Sequence, residues 1–154
     1  MTRFWHFTSA LHLPHIMEAG TLRTTESNID PVLPHAGPPV VWLLDEDHSD
    51  PDKNGLAGRV DKSEIRFTVD VLESRCRRWV EWAPMNGAEH GWMVALAEAG
   101  GGWEYAEHWW VIARSIPRVS DKPGGGRWLA IDRRVGDGWE PIPLPPIASH
   151  SHAL

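Results

Sequence analysis

Three histidines fall within the first fifteen residues, at positions 6, 12 and 15, and each suggests its own chemistry. His12 and His15, three apart on a helical stretch, could face one metal ion. Leu11, Leu13, Ile16 and Met17 leave that face mostly to solvent, and within the helix only Glu18 offers a carboxylate. Both histidines are therefore expected on the solvated side, and no metal is expected. His6 differs. In "RFWHFT" (3–8), strand alternation puts it on one side with Phe4 and Thr8, and Trp5 and Phe7 on the other. There it either makes a satisfied buried hydrogen bond or lines a pocket with Thr8.

Other chemistries find less support. No G-x-S-x-G elbow is present, and the single cysteine, Cys76, stands in an apolar stripe beside Arg75, Arg77 and Arg78, where a buried structural thiol is expected. The glycine runs at 100–102 and 122–127 lack the order of a phosphate loop and are expected as turns. Ten tryptophans against one tyrosine are the oddity of composition. Such rings fill cores, and they also wall clefts that take flat ligands.

Positioning these residues falls to a mixed set of elements. A strand over 3–8 leads to a helix that Ser9 can cap and Gly20 ends. Residues 24–39 and 45–63 are long polar loops on either side of a strand, "VVWLL" (40–44). "EIRFTVDV" (64–71) alternates with Ile65, Phe67, Val69 and Val71 on one face, the mark of a half-buried strand. Asp70 could cap a helix through "VLESRCRRWVEWA", where Leu72, Cys76, Trp79 and Val80 form one stripe, and 88–99 predicts a second helix. Strands are expected at 107–117 and 127–133, and an extended proline-rich edge or tail at 138–147.

The absence of regular βαβ alternation favours an α+β domain with antiparallel pairing around a cleft. A chain of 154 residues suits one domain, placed at 1–140, with a proline-rich tail at 141–154. The net charge of −6 and scattered basic residues give no stripe for duplex binding. No apolar run approaches the roughly 18 residues that span a bilayer, and no charged leader precedes an apolar stretch, so a cytoplasmic location without membrane contact is expected.

Residues 6–22, "HFTSALHLPHIMEAGTL", carry a further signal: His6, Thr8, Leu13, Pro14, Ile16, Gly20 and Leu22 stand at matching spacing to a known pattern. The segment resembles the start of the DNA-targeting ADP-ribosyltransferase toxins, in which a strand ending in His-x-Thr precedes a helix with Leu-Pro-x-Ile and then Gly-x-Leu. The resemblance implies an ADP-ribosyltransferase-like α+β fold, two small mainly antiparallel sheets around an NAD cleft with flanking helices. It also implies that His6 and Thr8 contact NAD as the substrate, that Trp42 or Trp110 stacks on a ring, and that Ser27 and Asn28 of "TESN" (25–28) line the cleft.

Breaking the bond between nicotinamide and ribose passes through an oxocarbenium-like state, which needs a flat wall, hydrogen bonds to the ribose and a nearby carboxylate. Glu107 and Glu26 are the candidates for that catalytic carboxylate, with Glu64 a third. The family's glutamate position, counted back from Ile116 and Pro117, falls at Trp109 here, and Glu107 stands two residues earlier. Arg66 is the one possible counterpart of the family's arginine, and solvent is its expected environment. Two functions follow: an NAD-dependent ADP-ribosyltransferase whose acceptor is open, nucleic acid included, or a catalytically silent nucleotide- or base-binding module. The sequence leaves the oligomeric state open.

Overall fold

A computed structural model describes residues 1–25 and 37–147. Nine strands and four helices are named among them: β1 (Thr2–Thr8), α1 (Leu13–Ala19), β2 (Thr21–Leu22), β3 (Val41–Leu44), β4 (Ile65–Val71), β5 (Cys76–Arg78), α2 (Trp79–Met85), α3 (His90–Ala99), α4 (Trp103–Ala106), β6 (Trp109–Ile112), β7 (Ile116–Pro117), β8 (Arg127–Val135) and β9 (Gly138–Ile142). The architecture is α+β. Every strand pair is antiparallel, and seven strands lie side by side in the order β5-β6-β3-β1-β4-β8-β9, with β2 and β7 forming a separate ribbon.

The expected pair of small sheets takes another form. All of β1, Thr2 to Thr8, pairs with β4, and all of β3 pairs with β6. Between β1 and β3, however, the only ladder pair is Trp5 with Leu44. A three-strand half and a four-strand half thus meet at one residue pair, and the sheet is creased there.

Alternation along the strands builds a core on each face. One core gathers Phe4, Ile65, Phe67, Val69, Ile112, Trp128 and Ile131, with Leu13 of α1 and Leu22 of β2 packed in. The other gathers Phe7, Val40, Leu44 and Val111 under Trp79, Trp82, Trp92 and Trp109, supplied largely by α2, α3 and their flanks. Trp79 is its hub: its ring lies 5.1 Å from Trp109, 6.1 Å from Trp42 and 6.2 Å from both Trp92 and Trp103.

Residues 72–78 correct the sequence reading. Instead of one helix from Asp70, β4 continues to Val71, a 3-10 turn spans Glu73–Arg75, and Cys76–Arg78 forms β5 on the edge of β6. The reason is packing. Cys76 belongs to one core and Trp79 to the other, so their apparent helical stripe never faces a common surface. The single strand expected over 107–117 likewise divides, β6 staying in the main sheet and β7 pairing with β2. At the other end β9 runs to Ile142, and Leu144 packs on the core, so ordered structure continues past residue 140. Among the described residues no helix is long and apolar enough to cross a membrane.

Trp79→Ala and Trp128→Ala each remove a fully buried indole from a different core and are expected to cost roughly 3–5 kcal/mol apiece. Denaturant midpoints measure this. A loss below about 1 kcal/mol in either variant would mean that its core is not packed as described.

Candidate functional site

Beyond the Trp5–Leu44 pair, β1 and β3 part, and the gap between them opens into a cleft of about 560 Å³. His6 spans the gap. Its Nδ1 lies 2.8 Å from the carbonyl oxygen of Trp42, which can only accept, so Nδ1 carries the proton and donates. In the neutral ring Nε2 is then an acceptor. Desolvation holds the His6 pKa below its ordinary 6.5; the bond to the Trp42 carbonyl opposes this, and the charge of Lys62 adds to it. At neutral pH the group in the crease is a neutral imidazole.

Aromatic faces form much of the wall: Trp5 and Phe7 from β1, Trp42 from β3 and Trp109 from β6. Trp42 and Trp109 meet edge to face at 5.9 Å with an interplanar angle of 87°. Polar groups interrupt this wall at His6, Thr8, His12, Thr25, Asn54 and Lys62. Thr25 is held at the cleft by a bridge to Val40.

Asn54 ties the second long loop to the wall. Its Oδ1 accepts from the indole N–H of Trp109 at 2.8 Å, its Nδ2 donates to the Ser49 hydroxyl at 2.7 Å, and its backbone N–H donates to the Gly100 carbonyl at 2.8 Å. These bonds hold it at φ 58°, a left-handed conformation that asparagine tolerates better than most residues. Gly100 is required beside it, because a Cβ there would collide with the Trp109 ring. Trp109 is thereby fixed from two directions.

Three residues singled out in the sequence, His6, Thr8 and Trp42, come together in this cleft. Trp110 and Glu107 do not join them. Trp110 lies against Phe4 on the other core, ring centroids 5.1 Å apart, and donates its indole N–H to Asp45 at 3.1 Å. Glu107 is exposed at the end of α4, where its backbone carbonyl accepts from Arg78 at 2.7 Å. Glu26, Ser27 and Asn28 lie outside the described residues. Glu64 accepts from the backbone N–H of Ala10 at 3.2 Å.

His12 and His15 are both exposed, as expected for the solvated side of the helix. His12 also lines the cleft, and His15 lines a second pocket. One expectation is corrected. Arg66 does not project into solvent. It pairs with Asp132 at 2.9 Å, donates to the Asp47 carbonyl at 2.7 Å and lies 4.3 Å over the Trp139 ring. The sequence reading missed Asn54, Lys62 and Trp109 as cleft residues; "KNG" at 53–55 signals a turn but not its partner.

Elsewhere, Asp45, Glu46 and His108 bring ligand-type atoms within 4.8 Å of one another. His108 Nδ1 lies 2.8 Å from Asp45 and 3.3 Å from Glu46, so hydrogen bonding at the surface accounts for the grouping.

His6 makes stability depend on pH with a definite sign. Its folded pKa is depressed, so the unfolded chain binds the proton more readily; its contribution is complete above about 6.5 and is lost as pH falls from there through the folded value. His6→Asn keeps a donor in place of Nδ1–H and removes the titration. Thermal unfolding from pH 7.5 to 5 should therefore fall less steeply in the variant than in the parent, and equal slopes would show that His6 is not held neutral. Compared with protein-family models, with curated proteins and with solved structures, the chain matches none of them.

Proposed function

We propose that the crease between β1 and β3 binds NAD and that the chain is an NAD-dependent ADP-ribosyltransferase with an ADP-ribosyltransferase-like fold. The observation that carries this reading is the convergence of His6, Thr8 and Trp42 in one aromatic-walled cleft of about 560 Å³. That volume lies within the range of small-molecule sites. In this reading Trp42 or Trp109 provides the flat wall for a nucleotide ring, while His6 Nε2 accepts from a ribose hydroxyl and Thr8 adds a hydroxyl contact. The glycosidic bond to nicotinamide breaks heterolytically: its electron pair leaves with nicotinamide, the acceptor's nucleophile bonds to the ribose carbon, and the proton that the nucleophile carried passes to water.

The developing cation needs a carboxylate. Glu26 follows directly in sequence on Thr25, a cleft residue, and takes this role in the proposal in preference to Glu107. A second reading, a silent nucleotide- or base-binding module, is favoured by a specific observation: among the described residues the cleft wall contains no carboxylate.

Thermal unfolding with millimolar NAD, with nicotinamide followed chromatographically in the same samples, separates the readings. Both expect a raised melting temperature, because a ligand at a hundred times its Kd adds about 2.7 kcal/mol to folding. Only the transferase releases nicotinamide, and there Glu26→Gln should abolish release while Glu107→Gln leaves it within about twofold of the parent. No stabilisation by NAD or any related nucleotide would sink both readings.

A further inference from the structure

Among the described residues one lysine, Lys62, lines the cleft, and it is exposed. Lys62 lies on its wall, close enough to His6 to bear on that ring electrostatically, and its backbone N–H is anchored to the Leu56 carbonyl at 2.9 Å. The neighbouring carboxylates are engaged elsewhere. Asp61 accepts from the backbone N–H of Ser63 at 2.8 Å and also from the Ser63 hydroxyl, and it lies 3.4 Å from Arg134. Glu64 accepts from Ala10. Among the described residues Lys62 has no ion-pair partner, and every ionisable side chain on the cleft wall, His6, His12 and Lys62, is a base.

An ammonium group on the wall of an aromatic cleft, with its adjacent carboxylates committed to other partners, attracts an anion. We infer that Lys62 forms a phosphate subsite within this cleft, with His12 as a second donor at its mouth, so that the site selects a phosphorylated ligand over the corresponding nucleoside. The inference rests on the proposed cleft as the ligand site and adds which chemical class it selects. Lys62 provides a compact point charge, which suits a phosphate, while the indole walls suit the ring attached to it.

Calorimetric titration of the full chain with NAD, nicotinamide riboside and inorganic pyrophosphate tests this. The parent should bind NAD and pyrophosphate competitively, with affinity falling as salt rises. Lys62→Gln should weaken both by about tenfold or more and leave the riboside unchanged or slightly tighter, and Lys62→Arg should recover most of the loss. The His6 imidazole, followed by NMR, should titrate at higher pH in Lys62→Gln, because a neighbouring positive charge has gone. Equal NAD affinity in parent and Lys62→Gln overturns the subsite while leaving the nucleotide reading in place. Lys62-dependent binding of pyrophosphate without binding of NAD keeps the subsite and removes the NAD reading. No binding of any probe overturns both.

Discussion

The hydrogen bond from His6 to the Trp42 carbonyl is the interaction on which the site geometry depends. An antiparallel sheet satisfies its backbone by continuous ladders, and parting two neighbouring strands leaves carbonyl and N–H groups without partners. Here β1 remains fully paired to β4 and β3 to β6, so each strand is secured on its far side. On the near side, the imidazole takes up one of the carbonyls that the missing ladder would have used. One side chain thus bridges the opening without filling it. The same bond fixes the tautomer, which leaves the acceptor nitrogen for whatever enters.

The tryptophans divide into those that make the core and those that the core presents. Trp79 is completely buried among other indoles, and among the described residues neither its ring N–H nor that of Trp92 has a hydrogen-bond acceptor. A buried donor left so costs about 1–3 kcal/mol, and the packing of large rings offsets it. Trp109 and Trp128 have their N–H groups satisfied, by Asn54 and by the Ile116 carbonyl at 2.9 Å. The indole that faces the cleft from β6 is therefore held by a directional bond, whereas the rings behind it are held by shape.

Much of this arrangement is legible in short-range pattern. Alternation in 3–8 and 64–71 places the two central strands and separates Phe4 from Phe7, as the two cores require. It also marks His6 and Thr8 as one side of a strand. Helical spacing misleads at Leu72, Cys76, Trp79 and Val80, because a strand edge and a helix can share an apolar count when the chain crosses between two cores. Asn54 and Lys62 were out of reach for a different reason. Loop 45–63 has no period, and its meaning comes from contacts with Trp109 and Gly100, about fifty residues away in sequence. Trp110 shows the limit of composition: beside Trp109 in sequence, it faces the other core.

The outer strands of the sheet bear on how molecules of this chain meet one another. β5 is only three residues long, and Arg77 folds its guanidinium back onto the carbonyls of Ser74 and Cys76, at 2.8 and 2.9 Å, occupying acceptors on that margin. At the opposite margin β9 contains Pro141 and is followed by Pro143, Pro145 and Pro146, each lacking an amide hydrogen. Open margins template the addition of foreign strands, and short length, arginine capping and proline all discourage it. A domain that carries a parted seam through its middle would be vulnerable to invasion by another chain. Blunted at both margins, it can keep that seam without becoming a seed for aggregation.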